Sequence, residues 1–121
     1  MKTSFEVQEK YPYASVMEID MACANLEEDE EIIKVLASHI FTNEIYFITN
    51  KAVIGIDAHG QEPIFEYTGF DKLVLEQNYE HNMIILISRD NAQRMFIRVD
   101  NDEDTFEAIK LIYQFSKREF K

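Results

Sequence analysis

The sequence predicts a mainly β, α+β fold in which a run of short strands is followed by a single helix. Two observations carry this prediction. Between about Glu31 and Val99, short apolar runs recur with turn-forming residues between them. From Asp102 to about Phe120 one stretch keeps helical periodicity, with acids at its start and bases at its end. The chain has 121 residues, 46% of them hydrophobic, with nine Phe and six Tyr, which suffices for one independent core.

Taken in order, Met1 to Ala24 is the least regular part. Tyr11-Pro12-Tyr13 breaks any helix, while Met17, Ile19 and Met21 alternate with Glu18 and Asp20 as in a half-buried strand. An acidic patch, Leu26-Glu27-Glu28-Asp29-Glu30-Glu31, follows. Ile32 to Ile40 then fits two templates. Helix spacing groups Ile33, Leu36, Ala37 and Ile40, whereas strand spacing sets Ile33, Val35 and Ala37 against Ile32, Leu36 and Ile40. Beyond it the pattern is firmer. Ile45 to Thr49 and Ala52 to Ile56 flank Asn50-Lys51, a turn short enough to make an antiparallel hairpin. Asp57 to Gly60 closes the second strand, and Pro63 to Tyr67 is a shorter strand with proline at its start, where a missing N–H does least damage. Leu73 to Gln77 and Met83 to Ile87 are strands joined by a turn over Asn78 to Asn82. Arg89-Asp90-Asn91 turns the chain into Gln93 to Val99, where Met95, Ile97 and Val99 form a dry face against Arg94, Phe96 and Arg98.

The helix has capping residues in Asp100, Asn101 and Asp102, acids Glu103 and Asp104 in its first turn, and Lys117, Arg118 and Lys121 at its far end. At about 100° per residue its apolar side chains span an arc of about 220°, wider than the stripe of about 100° that one core contact requires. The outer part of that arc is Ala108, Leu111 and Phe115. Two readings follow: an N-terminal extension covers it within the chain, or it meets a second copy or a partner protein.

The segment Ile45-Tyr46-Phe47-Ile48-Thr49-Asn50-Lys51-Ala52-Val53-Ile54-Gly55-Ile56-Asp57 is similar to the hairpin of bacterial pleckstrin-homology-like and GRAM domains. There a strand ends in Thr-Asn-Lys or Thr-Asp-Lys and the next begins at once. Ala52 departs from the pattern, which commonly has a basic residue at that place. Phe65 to Leu73 resembles the family's short strand and following corner, with Gly69 as a departure. The resemblance implies a partly open barrel of about seven antiparallel strands, capped by one C-terminal helix, over residues 26–121. It makes Ile32 to Ile40 the first strand and residues 1–25 an extension packed on the domain.

Charge and composition narrow the partners. With 23 Asp and Glu against 12 Lys and Arg, the net charge of −11 repels nucleic acid and anionic membranes. Phosphoinositide binding in the resembling family depends on a basic cluster in the first hairpin. Here only Lys34 and Lys51 stand near that place, among Glu27, Glu28, Asp29, Glu30, Glu31 and Glu44, so no phosphoinositide is expected. The lone Cys23 excludes an internal disulfide, and neither a signal-peptide core nor a membrane span is present, so a cytoplasmic protein is expected.

No catalytic constellation stands out. His39, His59 and His81 lack metal-ligand spacing, and a Cys23–His39 nucleophile has no third residue to orient it. The acidic run from Glu27 to Glu31 lacks the spacing and glycine of a calcium loop, and helix capping accounts for Asp100 to Asp104. No catalytic residue, metal or cofactor is therefore expected. The expected function is a non-enzymatic protein-interaction module, self-associating or binding a partner through Ala108, Leu111 and Phe115. The alternative is an acidic inhibitor or immunity protein that covers a basic surface.

Overall fold

The structure, a computed structural model, describes residues 26–37, 44–56, 62–77 and 81–119. The expected packing of residues 1–25, and the positions of Cys23, His39 and His59, lie outside the described residues. Among the described residues, seven antiparallel strands form two sheets. The first has the order β1 (Ile32–Ala37), β2 (Ile45–Thr49), β3 (Ala52–Ile56), β4 (Ile64–Glu66), and the second β5 (Phe70–Gln77), β6 (Asn82–Ser88), β7 (Arg94–Val99). They remain two sheets rather than one closed barrel, and helix α1 (Asp102–Glu119) follows them.

Within the segment that fitted both templates, Ile32–Ala37 is a strand. β1 pairs with β2 through Val35 opposite Phe47 and Leu36 opposite Tyr46, with a bulge between Ile32 and Lys34. Its β-branched Ile32, Ile33 and Val35 favour the pleated conformation. β2 and β3 make the expected hairpin, in which the Tyr46 ring lies across Gly55; a Cβ there would come within 2.9 Å of Tyr46 Cε1.

Two boundaries differ from expectation. β4 is confined to Ile64–Glu66, because Tyr67 leaves the ladder in a 3-10 turn, Tyr67–Gly69, and sinks into the core. β5 starts at Phe70, three residues before the expected strand, where the Phe70 ring meets Phe65 edge-on at 6.4 Å and Tyr113 at 5.6 Å. The β6–β7 turn is as expected, with Asn91 in the left-handed region at φ 58, a conformation asparagine tolerates.

The core joins Leu36, Tyr46, Ile48 and Val53 of the first sheet to Ile84, Leu86, Met95 and Ile97 of the second. The helix closes it with Ala108, Ile112 and Phe115, the last stacked on Tyr67 at 6.0 Å between ring centres. Asn101 caps the helix. Its Oδ1 accepts the Asp104 N–H at 2.8 Å, and its Nδ2 donates back to Asp104 Oδ2 at 3.0 Å.

The helix turns the residues of the expected interaction patch toward the core. Ala108 is 0% and Phe115 6% exposed, and Leu111 is half-buried against the core, so these three do not form an outward surface. Two buried hydroxyls explain the orientation. Thr105 and Ser116 donate to the carbonyls of Asn101 and Ile112, each at 2.6 Å, so both polar side chains are satisfied within the helix and can face inward. With that stripe buried, Phe106 lies outside, 53% exposed.

Candidate interaction surface

The Thr-Asn-Lys turn is the most densely bonded polar part of the described structure. The Thr49 hydroxyl accepts the N–H groups of Lys51 at 3.1 Å and Ala52 at 2.9 Å, fixing the turn, and hydrogen-bonds the buried Glu30 carboxyl. Asn50 reads the entering backbone: its Oδ1 accepts the Glu31 N–H at 2.8 Å and its Nδ2 donates to the Asp29 carbonyl at 3.2 Å. Lys51 Nζ lies 2.6 Å from both Glu27 Oε2 and Asp29 Oδ1. These contacts, Asp29 foremost, push the Lys51 pKa up. The motif thus clamps residues 27–31 against the hairpin, and its cation is already paired.

Lys34 is paired as well. Its ammonium sits 2.9 Å from Asp104 and 3.3 Å from Glu107, one helical turn apart on α1. Burial works against the charge on Lys34, but the hydrogen bond and charge of Asp104, joined by Glu107, outweigh it and raise its pKa. Each of the two lysines nearest the first hairpin therefore faces two carboxyl groups. A cleft of about 260 Å³ beside Lys51 is lined by Glu27, Glu30 and Glu66, an acidic setting that disfavours anions. Among the described residues, no three His, Cys, Asp or Glu are grouped to hold a metal ion.

The apolar surface that stays open is elsewhere. β2 and β3 are buried on both faces, including Ile45, Phe47, Ile54 and Ile56, which alternate with the core-facing positions. The three-stranded sheet differs. Leu73, Leu86 and Met95 form one core-facing cross-strand row, and Leu75, Ile84 and Ile97 another. The intervening rows point away from the core: Lys72–Ile87–Arg94, Val74–Ile85–Phe96 and Glu76–Met83–Arg98. Val74 is 39% and Phe96 45% exposed. A groove of about 280 Å³ runs beside Phe96, bounded by Tyr46, Pro63, Arg94, Met95 and Arg98. Arg98 is held over it by Glu44, with Nη1 at 2.9 and 2.8 Å from the two carboxylate oxygens.

Sequence reasoning identified Phe96 as lying opposite the dry face of its strand but did not find this row. Its three members come from three strands, and only the register brings them side by side. Of the expected site residues, the core unites Ala108 and Phe115, with Leu111 packed at its margin.

No family model and no curated protein match this chain. A solved structure, a DUF1696 family protein with a pleckstrin-homology domain from Shewanella loihica PV-4, is similar to it with a TM-score of 0.64. The match covers 85% of this chain and 94% of that one at 15% sequence identity. The fold is therefore pleckstrin-homology-like, as the hairpin resemblance implied. Among the described residues, no helix is long and apolar enough to cross a membrane.

Proposed function

We propose that this pleckstrin-homology-like domain is a non-enzymatic protein-interaction module, and that it binds through the outer face of its three-stranded sheet. The observation that carries the reading is the row Val74–Ile85–Phe96, where a phenylalanine and a valine stay open to water on either side of the buried Ile85. Neighbouring exposed apolar side chains on one sheet face favour an interface, and aromatic residues anchor such contacts. Lys72 and Arg94 stand on one side of the row, and Glu76 with the Glu44-paired Arg98 on the other, in a chain whose net charge is −11. The Lys72–Arg94 side suits a partner with acidic residues beside an apolar anchor, and gives no support to an acidic inhibitor acting through this face. The pairing of Lys34 and Lys51 with carboxyl groups argues against phosphoinositide headgroups as ligands.

Affinity capture with the full chain as bait tests the reading. Proteins retained by the wild type are expected to be lost with Phe96→Glu and kept with Phe106→Glu on the helix. Equal capture by the wild type and the Phe96 variant overturns it.

A further inference from the structure

Among the described residues, β5 is the longest strand, eight residues, and lies at the edge of its sheet with β6 as its only neighbour in the ladder. Asp71, Lys72, Val74, Glu76 and Gln77 are all exposed, and among the described residues no strand pairs with its other side. A long open edge presents unpaired N–H and C=O groups to any strand that fits it. We infer that this edge pairs with β5 of a second copy, antiparallel and centred on Val74, to form a continuous six-stranded sheet about a two-fold axis.

The sequence of the edge sets the register. A two-fold perpendicular to the sheet keeps each residue on its own face, so only registers that place a residue opposite one of its own face are possible. Centring on Val74 sets Lys72 opposite Glu76 of the second copy, Glu76 opposite Lys72, Leu73 opposite Leu75, and Val74 opposite itself. Of the three exposed charges, Lys72 and Glu76 then meet opposite charges and Asp71 meets Gln77, so no like charges face each other, which is the favourable case for cross-strand pairs. Centring on Leu73 would set Lys72 against Val74, and centring on Leu75 would set Glu76 against Val74, leaving charges opposite apolar side chains.

The pairing rests on the same outer face as the proposed function and deepens it. Val74 is in register with Ile85 and Phe96, so the dimer would extend one apolar row into a six-residue ladder across both copies. The second copy would thereby double the docking row offered to a further partner.

Light scattering and sedimentation of the full chain test the pairing. The wild type is expected to dimerise. Lys72→Glu and Glu76→Lys, each placing two like-charge pairs across the axis, are expected to raise the dimer Kd by about tenfold or more. The double variant carrying both swaps restores opposite charges and is expected to return to near wild-type association. Thermal melting of each variant verifies that a lost dimer is not a lost fold. A monomeric wild type at high concentration overturns the inference, as does a double variant no better than the single ones. Either result leaves the Phe96 capture experiment standing, and a Phe96→Glu protein that still dimerises separates the two surfaces.

Discussion

Tyr67 is fully buried, and its hydroxyl donates to the Thr49 carbonyl at 2.8 Å, beside the turn that holds Glu30. Burial first, and then the nearby Glu30 carboxyl, push its pKa well above the ordinary value of 10.0. The sign of the consequence follows from which form the fold prefers. The folded chain keeps the proton, whereas the unfolded chain releases it near the ordinary value, so stability is intact below about pH 10 and declines as pH rises further. Tyr67→Phe removes the hydroxyl and leaves the Thr49 carbonyl without that donor, at an expected cost of about 1–2 kcal/mol near neutral pH. The variant also loses this source of alkaline sensitivity. Urea denaturation near neutrality and again above pH 10 is expected to show the gap between wild type and variant narrowing. A gap that stays constant or widens contradicts the assignment.

At the scale of elements, the helix shows what a sequence reveals and what it hides. Its existence, its acidic start and its extent were legible, since capping residues and a broad apolar arc are local signals. Its orientation was not. An arc of about 220° has no unique centre for a stripe of about 100° to face, and the residues that settle the matter, Thr105 and Ser116, are polar. They enter the core because their hydroxyls return to the helix backbone, which hydropathy does not register. Strands β2, β3, β6 and β7 were legible because turn residues bound them. β1 was ambiguous because nearly every position in it is apolar, and the β4–β5 junction was misplaced because Tyr67 leaves the ladder for tertiary reasons. The Lys34–Asp104 pair joins residues 70 positions apart, beyond any local pattern. The orientation predicts a contrast. Ala108→Leu is expected to overpack the core and cost about 1–3 kcal/mol, while Phe106→Ala changes stability by about 0.5 kcal/mol or less. Thermal unfolding of the two variants measures it, and a reversed order would restore Ala108 to the surface.

Across the whole molecule the net charge of −11 and the local ion pairs respond to salt in opposite directions. The Lys51 pairs and that of Arg98 with Glu44 are weak surface contacts, and added salt weakens them further. The surplus of acids repels itself through the entire surface, and salt relieves that repulsion once the screening length falls to about 8 Å near physiological ionic strength. Many weak repulsions outnumber a few weak attractions, so the melting temperature is expected to rise as salt is added from a low level. The same balance separates the two classes of partner. Two copies of this chain repel at long range and meet through backbone hydrogen bonds, apolar rows and two exposed Lys72–Glu76 pairs worth little each, so moderate salt is expected to tighten their association. A basic partner drawn by the acidic surface would be steered by the charge that salt screens, and its association would weaken. Sedimentation at low and moderate salt therefore reads the sign of the balance: a dimer that tightens shows the relief of net repulsion outweighing the screening of the Lys72–Glu76 pairs, while one that dissolves as salt is added shows opposite charges carrying the association.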